Sequence, residues 1–339
     1  MKKIKKVALC GVPGMKKSDI IKMEKYIKEE YKNVEFIFIS EDVLEKEELI
    51  EKCKDVEVLI SWDQEMDDEI YKSLDLRAYC AASIGFNAAN IQAASRNKVI
   101  VTNVSDYCVD EVAVHTLMMI LACNRKLSRM MAHVKDGKWD LEVLGSIKRF
   151  EESTVGLLGF GSIPRSVARK LSGFGVNIIS YDPFVSEKDM KDFDVRKVEL
   201  DDLFIESDYL SLHTPLLSST EKIINMENIK KMKSTSYIIN TARGALIDQG
   251  DLLEALENDL IQGAGLDVLE NEPPKESDRK IIDSEKTIVT AHSAYVSDQA
   301  SDLQLRITSQ IVGAILKSQV PLNVRNPEVL ENLNWIKNK

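Results

Sequence analysis

The chain has 339 residues, of which 44% are hydrophobic and 29% are charged, and its formal net charge is −10. This length suggests about two domains, and the composition excludes a disordered chain, a collagen-like fibre and a disulfide-stapled miniprotein. A net acidic surface repels phosphate backbones, and the longest apolar stretch, 112–123, is shorter than the roughly 20 residues of a transmembrane helix, so we expect neither a nucleic-acid nor a membrane partner.

The first hundred residues alternate between short runs rich in Val and Ile and segments whose apolar side chains recur at helical spacing. This alternation predicts a parallel sheet with helices on both faces. The predicted strands are 7–10, 34–39, 56–60, 77–80 and 99–101, and the predicted helices are 19–31 and 42–54.

A long helical pattern covers 109–131, and strand–helix alternation then begins again. The predicted strands here are 154–159, 177–181, 208–212, 237–240, 261–266 and 287–290, and a last helix covers 298–317. The chain therefore predicts an α/β fold with two doubly wound parallel-sheet domains. One is discontinuous, 1–103 with 298–339, because the last helix is free to return to the first domain, and the other is 104–297.

The cysteines predict a reducing compartment. They are five in number, scattered, and never spaced C-x-x-C, which favours free thiols and no metal site. The apolar run 7–10 is too short for the hydrophobic region of a secretion signal. We therefore expect a cytoplasmic protein. The cysteines are Cys10, Cys53, Cys80, Cys108 and Cys123.

A glycine turn follows the predicted strand 154–159 and precedes a helix. Gly159 permits the tight turn, and Gly161 lets the backbone approach a pyrophosphate at the helix N-terminus. Asp182 follows at the end of the next strand, where a carboxylate can accept hydrogen bonds from a ribose diol. Pro164 replaces the third glycine of the fingerprint, in a helical turn that tolerates proline. The pattern predicts a dinucleotide site, and Asp182 with no arginine after it favours NAD over NADP.

Three further segments end predicted strands, at the edge where doubly wound sheets bind ligands. They contain Arg243, Glu272 and His292. An arginine, a carboxylate and a histidine on neighbouring loops can supply a carboxylate clamp, an orienting group and a proton-transferring base.

These segments, the glycine fingerprint and the stretches 83–87, 106–113 and 137–140 resemble the D-isomer-specific 2-hydroxyacid dehydrogenase family. The branch that they resemble is related to C-terminal-binding proteins and phosphoglycerate dehydrogenases. The resemblance covers nearly the whole chain and is weakest before residue 55. It implies a flavodoxin-like substrate domain, a Rossmann NAD-binding domain and a homodimer formed around the helix at about 109–131.

The resemblance also implies roles for individual residues. His292 would be the general acid/base on the substrate oxygen, with Glu272 as its partner and Arg243 on the substrate carboxylate. Glu272 is preferred to Glu270 because the family's acid directly precedes a proline. The residues implied for NAD binding are Gly159, Gly161, Ser162, Ile163, Asp182, His213, Thr214, Pro215, Thr220, Thr241, Ala242, Arg243, Asp267 and His292. Those implied for substrate binding are the backbone amides of Ser83, Ile84 and Gly85, together with Arg243 and Tyr295.

The sequence departs from the family at positions that bear on function. Ala291 stands where the family usually has a proline before the histidine, which puts the rigidity of that loop in question. Ala81 stands where many members have an arginine, so the expected substrate is a small, unphosphorylated 2-hydroxy or 2-keto acid. His115 is expected to pack at an interface. The alternatives are a D-3-phosphoglycerate dehydrogenase and an NAD-sensing scaffold of the corepressor kind.

Overall fold

The computed structural model describes residues 4–40 and 43–336, so Asp42, where the predicted helix 42–54 begins, lies outside the described residues. The chain forms two compact units. Unit 1 comprises Met1–Tyr107 and Ser297–Lys339, and unit 2 comprises Cys108–Val296. Each unit is built on a parallel sheet, which confirms the predicted α/β fold class.

Strands and helices alternate in both units. In the described ranges the strands are β1 (Lys5–Leu9), β2 (Val34–Phe38), β3 (Val58–Ser61), β4 (Ala78–Ala81), β5 (Ile100–Thr102), β6 (Thr154–Leu158), β7 (Asn177–Tyr181), β8 (Arg196–Lys197), β9 (Tyr209–Leu212), β10 (Tyr237–Asn240), β11 (Gly263–Leu266) and β12 (Thr287–Val289). The α-helices are α1 (Lys17–Glu30), α2 (Lys46–Cys53), α3 (Asp68–Ser73), α4 (Ile91–Arg96), α5 (Val109–Asn124), α6 (Leu127–Lys135), α7 (Ser162–Leu171), α8 (Glu187–Lys191), α9 (Leu200–Glu206), α10 (Met226–Ile229), α11 (Gln249–Glu257), α12 (Arg279–Ile282) and α13 (Asp298–Leu316).

Unit 1 holds a five-stranded sheet in the order β2-β1-β3-β4-β5. Successive β1 residues face opposite sides, so Val7 and Leu9 enter one apolar cluster and Ala8 enters another. The cluster around Val7 and Leu9 includes Val312 and Ile315 of α13, which comes from the far end of the chain. Unit 1 is therefore one domain made from both ends of the sequence.

Unit 2 holds a seven-stranded sheet in the order β12-β11-β10-β9-β6-β7-β8. Later strands lie on both sides of β6: β7 and β8 on one side, and β9 to β12 on the other. The strand order thus reverses beside β6, and in such sheets ligands bind outside the carboxyl ends of the strands at this point. The glycine turn follows β6, so the fold places it at the reversal.

The prediction of a single helix over 109–131 is wrong, because the structure divides this segment into α5 and α6. Lys126 adopts a left-handed conformation with φ of 49°, which ends one helix before the next begins. Asn124 is buried and its side-chain amide donates to the Lys148 carbonyl oxygen at 3.1 Å and to the Tyr209 hydroxyl at 2.8 Å. These long-range bonds fix the end of α5 although apolar residues continue past it.

The described residues, 4–40 and 43–336, contain no candidate membrane span and no candidate metal site. None of their helices combines the length and the apolar character that a bilayer crossing requires. In the same ranges, no three His, Cys, Asp or Glu side chains are grouped so that they could hold a metal ion.

Candidate active site

The glycine turn after β6 has the geometry of a phosphate-binding loop. Gly159 has φ of +96°, and a Cβ there would lie 2.9 Å from the carbonyl oxygen of His213, so a larger residue would strain the backbone and collide. A Cβ on Gly161 would meet no described heavy atom within 4 Å. Because α7 begins at Ser162, this open space lies at the N-terminal end of a helix, where N–H groups favour anions.

Pro164 is accommodated in the first turn of α7. The first bond of the helix runs from the Arg165 amide to the Gly161 carbonyl oxygen at 3.2 Å, so the N–H that proline lacks has no partner to lose. The Pro164 ring is buried against the unit. The third glycine of the fingerprint is therefore replaced without breaking the helix.

Asp182 follows the end of β7 and holds the two turns around it. Its Oδ2 accepts a hydrogen bond from the Phe160 amide at 2.9 Å, and its Oδ1 accepts one from the Phe184 amide at 2.8 Å. Arg165 lies near this turn, since its Nε donates to the Phe160 carbonyl oxygen at 3.1 Å. The prediction of cofactor choice rested on the residues that follow Asp182 in the chain, whereas Arg165 precedes Asp182 and was missed.

The loop after β9 contains four of the residues implied for NAD binding: His213, Thr214, Pro215 and Thr220. The His213 imidazole bonds the Ser211 hydroxyl at 2.9 Å, and its surroundings lower its pKa to about 3 by desolvation, which keeps it neutral. The Thr220 hydroxyl donates to the Pro215 carbonyl oxygen at 2.6 Å. Thr220 therefore closes a turn, while His213 and Thr214 lie against Gly159.

The loop after β10 carries Arg243 and is fixed on both sides. The buried Asn240 side chain accepts from the Ala242 amide at 3.0 Å and donates to the Arg243 carbonyl oxygen at 2.8 Å. A Cβ on Gly244 would lie 1.8 Å from the Leu269 carbonyl oxygen, so only glycine fits between this loop and the one after β11. The Arg243 backbone is thus held, and its guanidinium Nη1 donates to the Ala242 carbonyl oxygen at 2.6 Å.

His292 and Glu272 form a close pair. The distance from His292 Nδ1 to Glu272 Oε2 is 2.5 Å, and both side chains are partly exposed. Glu272 is itself positioned by the Leu269 amide, which donates to its other oxygen at 3.2 Å. The hydrogen bond to Glu272 is the main cause that raises the pKa of His292, while desolvation and the Arg243 charge act against it. The loop of Arg243 reaches this pair through its backbone, because Gly244 packs against Leu269, whose amide holds Glu272.

The loop 290–294 is held by Asp267, whose side chain is completely buried. The carboxylate accepts hydrogen bonds from the Thr290 hydroxyl at 2.5 Å, the Ser293 amide at 2.9 Å and the Ala294 amide at 2.9 Å. The Asp267 carbonyl oxygen accepts from the His292 amide at 2.7 Å. These bonds order the loop despite Ala291. They also place the Asp267 carboxylate, implied for NAD binding, beneath the loop.

The remaining predicted residues lie in two places. The Tyr295 ring meets the His292 ring edge-on, with centroids 6.0 Å apart. Ser83, Ile84 and Gly85 belong to unit 1, where the Asn103 side chain donates to the Ile84 carbonyl oxygen at 2.7 Å and the Ser83 hydroxyl donates to the Gly85 carbonyl oxygen at 2.8 Å. Within the described ranges, no hydrogen bond uses the backbone amides of Ser83, Ile84 and Gly85.

Sequence reasoning missed two side chains of α5 that contact the site loops of unit 2. His115 Nε2 lies 3.1 Å from the Thr290 hydroxyl, and the Thr116 hydroxyl lies 2.9 Å from that of Thr241. His115 was expected only to pack at an interface. The signal was a polar pair, His115–Thr116, inside an otherwise apolar helix, but their partners are more than a hundred residues away.

Comparison with known proteins identifies the family. Residues 117–294 match the model described as D-isomer specific 2-hydroxyacid dehydrogenase, NAD binding domain. A hydroxypyruvate reductase of Thermotoga maritima is 36% identical over 288 residues, which are 84% of this chain and 92% of the relative. The chain belongs to the D-isomer-specific 2-hydroxyacid dehydrogenase family.

Other relatives are consistent with this membership. A D-3-phosphoglycerate dehydrogenase of Methanocaldococcus jannaschii is 34% identical over 84% of this chain, but the match spans only 54% of that relative. The crystal structure of a D-lactate dehydrogenase from Aquifex aeolicus, complexed with NAD and lactic acid, superposes with a TM-score of 0.81 at 26% identity, covering 98% of this chain and all of that one.

This family member is an NAD-dependent oxidoreductase that acts on 2-hydroxy acids. Its own residues fit the cofactor. The turn at Gly159, the open space at Gly161 before α7 and the carboxylate of Asp182 match the pyrophosphate and ribose of a dinucleotide. The predictions of the family, the fold class and NAD as cofactor are therefore confirmed.

Proposed function

We propose that this dehydrogenase interconverts a small, unphosphorylated D-2-hydroxy acid and the corresponding 2-keto acid, with His292 as the acid/base. The observation that carries the proposal is the pair of His292 and Glu272 at 2.5 Å, with the loop of Arg243 packed at Gly244 against Leu269. A proton donor, its orienting carboxylate and a carboxylate-binding cation are the groups that reduction of a keto acid requires.

The proton chemistry follows from the His292 pair. When bound, NADH supplies the hydride that reduces C2 of the keto acid. In that direction the protonated imidazole of His292 donates its Nε2 proton to the substrate oxygen, and in the reverse direction the neutral imidazole accepts it. Glu272 bonds Nδ1, so it fixes the ring orientation and leaves Nε2 for the substrate. By raising the pKa of His292, Glu272 also increases the fraction of the proton-donating form.

Binding of the substrate carboxylate is assigned to Arg243 and to backbone amides. The planar guanidinium offers paired donors to a carboxylate and can polarise the adjacent keto oxygen. In unit 1, the amides of Ser83, Ile84 and Gly85 form a second group of donors that is free of bonds within the described ranges. Unpaired amides in succession suit an anionic oxygen.

The strand that leads into the substrate loop of unit 1 favours an uncharged substrate side chain. Strand β4, which leads into the loop, is buried and apolar, and it ends with Ala81. Arg77 precedes the opposite end of β4, where its Nε lies 3.1 Å from Glu57 and its guanidinium lies over the Trp335 ring. Arg77 is therefore engaged at the amino end of the sheet, away from the loop.

A panel of 2-keto acids tests the proposal through the rate of NADH oxidation. The panel comprises pyruvate, hydroxypyruvate, glyoxylate, 2-ketoisocaproate, phenylpyruvate and 3-phosphohydroxypyruvate. We expect the highest kcat/KM for an unphosphorylated acid. A clear advantage for the phosphorylated acid would contradict the substrate class, and NADH binding without turnover of any acid would favour the scaffold alternative.

A second candidate, a D-3-phosphoglycerate dehydrogenase, is favoured by one observation. Arg325 lies beside the substrate loop, with its guanidinium 5.6 Å from the Phe86 ring centre and its Nε donating to Asn103 at 2.8 Å. If this candidate is correct, Arg325→Met lowers kcat/KM for 3-phosphohydroxypyruvate about tenfold or more, which corresponds to about 1.4 kcal/mol, and leaves that for pyruvate nearly unchanged. Equal small effects on both acids would remove the support for it.

We also propose that the protein is a cytoplasmic homodimer. The cysteines are all free and buried, as suits a reducing compartment. The segment from α5 to residue 141 exposes large apolar side chains, including Met118 at 46%, Met131 at 51% and Leu141 at 73%. Such a patch marks an interface, here with a second copy. Sedimentation at micromolar concentration should give a dimer, and Met118→Glu should weaken it; a wild-type monomer would contradict the proposal.

A further inference from the structure

We propose that His115 and Thr290 are positioning residues that set the geometry of the acid/base loop. The inference rests on the proposed function, because it assumes that His292 transfers the proton. His115 belongs to α5, and Thr290 directly follows β12 at the start of the loop 290–294. Their side chains meet at 3.1 Å, and Thr290 in turn contacts Asp267 at 2.5 Å.

The direction of each hydrogen bond follows from the number of protons. A threonine hydroxyl has one hydrogen, and an ionised carboxylate can only accept. Thr290 therefore donates to Asp267, and its oxygen must accept from His115. It follows that Nε2 of His115 carries a hydrogen. The hydrogen bonds thus run in one direction, with His115 donating to Thr290 and Thr290 donating to Asp267.

Asp267 connects these hydrogen bonds to the loop of His292. The oxygen that accepts from Thr290 also accepts from the Ser293 amide at 2.9 Å, and the second carboxylate oxygen accepts from the Ala294 amide at 2.9 Å. The Asp267 backbone holds the His292 amide at 2.7 Å. The Asp267 side chain is fully buried and that of His115 is 16% exposed, so water can scarcely replace the bonds between them.

His292 itself needs such support. Its φ is +48°, which lies in the left-handed region that residues other than glycine rarely adopt. A strained backbone at a functional residue persists only where the surrounding contacts determine it. Since Ala291 lacks the ring constraint of a proline, the hydrogen bonds from Thr290, Ser293 and Ala294 to Asp267 hold the loop instead. Loss of the hydrogen bond between His115 and Thr290, or of that between Thr290 and Asp267, should let His292 move relative to Glu272.

Four variants test the inference. Thr290→Val keeps the branched shape and removes the hydroxyl, and His115→Leu removes the donor. Each should lower kcat about 5- to 30-fold, the factor that one weakened interaction of ordinary strength gives. KM for NADH should stay within about twofold, because the glycine turn is untouched. Thr290→Ser and His115→Gln retain a hydroxyl and an amide donor, and they should recover most of kcat.

A matched control uses the other end of β12. The Thr287 hydroxyl donates to the Ile281 carbonyl oxygen at 2.6 Å, so Thr287→Val also deletes a bonded hydroxyl but leaves the loop alone. It should keep wild-type kcat even if the melting temperature falls. His292→Ala is measured in parallel. If His292→Ala turns over normally, the proposed function is wrong; if it is inactive while Thr290→Val and His115→Leu match the wild type, only the positioning role is wrong. Failure of the conservative variants to recover kcat would also overturn that role.

Discussion

The loop 290–294 of unit 2 and the loop 83–87 of unit 1 both follow a strand of a parallel sheet, yet they offer opposite kinds of chemistry. In the first, the backbone amides of His292, Ser293 and Ala294 are consumed by bonds to Asp267, and an imidazole side chain remains for the reaction. In the second, the amides of Ser83, Ile84 and Gly85 make no hydrogen bond to the described residues, and the Ser83 hydroxyl bonds within the loop.

This difference determines what substitution can reveal in each loop. A side chain that performs chemistry is deleted by a single mutation, whereas a backbone amide survives most of them. We therefore expect large kinetic effects around His292 and small effects at Ser83.

The sharpest test of the comparison is His292→Ala. Because proton transfer by a positioned group contributes about 10²- to 10⁴-fold, kcat should fall by that factor. NADH binding should stay nearly unchanged, since the glycine turn does not depend on the imidazole. Steady-state kinetics and fluorescence titration with NADH measure the two quantities, and wild-type turnover would contradict the role of His292.

Glu272→Gln should have the next largest effect. A charge-assisted hydrogen bond contributes about 1.5–3 kcal/mol, so its loss should lower kcat/KM about 10- to 100-fold. Because Glu272 raises the pKa of His292, its loss lowers that pKa. Keto-acid reduction needs the protonated imidazole, so its rate should decline at a lower pH than in the wild type. Glu270→Gln is the matched control and should leave the pH profile of kcat/KM unchanged.

The glycine turn shares a property with each of the two loops, because it offers backbone amides at α7 and also the side chain of Asp182. A carboxylate there repels a 2′-phosphate, so kcat/KM for NADH should exceed that for NADPH at least about tenfold, or about 1.4 kcal/mol. Asp182→Asn should lower the ratio of kcat/KM for NADH to kcat/KM for NADPH. Asp189→Asn, in the exposed segment after Asp182, is the control and should leave this ratio unchanged. Equal kcat/KM for the two cofactors would contradict the prediction.

The smallest effect is expected for Ser83→Ala. The hydroxyl bond to the Gly85 carbonyl oxygen contributes about 1 kcal/mol, so KM for the keto acid should rise about fivefold at most, with kcat unchanged. A loss as large as that of His292→Ala would show that the Ser83 side chain takes part in the reaction, and the contrast between the two loops would fail.

Much of this architecture could be predicted from sequence because it depends on local patterns. Short Val- and Ile-rich strands alternating with helices indicate parallel sheets, and Gly159, Gly161 and Asp182 occur at the spacing of a dinucleotide site. Arg243, Glu272 and His292 each follow a predicted strand, which limits them to one edge of the sheet. In the structure, His292 pairs with Glu272, and the loop of Arg243 packs against Leu269, whose amide bonds Glu272.

The features that escaped prediction depend on contacts between distant residues. The break at Lys126 follows from bonds of Asn124 to Lys148 and Tyr209, whereas the apolar pattern continues through it. His115 looks like a core residue until Thr290, 175 positions later, is placed beside it. The two-residue strand β8, Arg196–Lys197, is too short to carry any pattern.

The assembly of unit 1 from both ends of the chain has a consequence for its synthesis in the cell. Its sheet is complete once β5 has been made, but the α13 side chains that cover one face, such as Val312 and Ile315, are about 200 residues further along. At about 5–20 residues per second, ribosomes need about 10–40 s to supply them. During this interval α1 can supply Met23 and Ile27 to the cluster around Val7 and Leu9, but the α13 side chains are missing from it while the whole of unit 2 is made. The domain that starts first therefore finishes last, and its incompletely covered face is a surface for chaperones to protect.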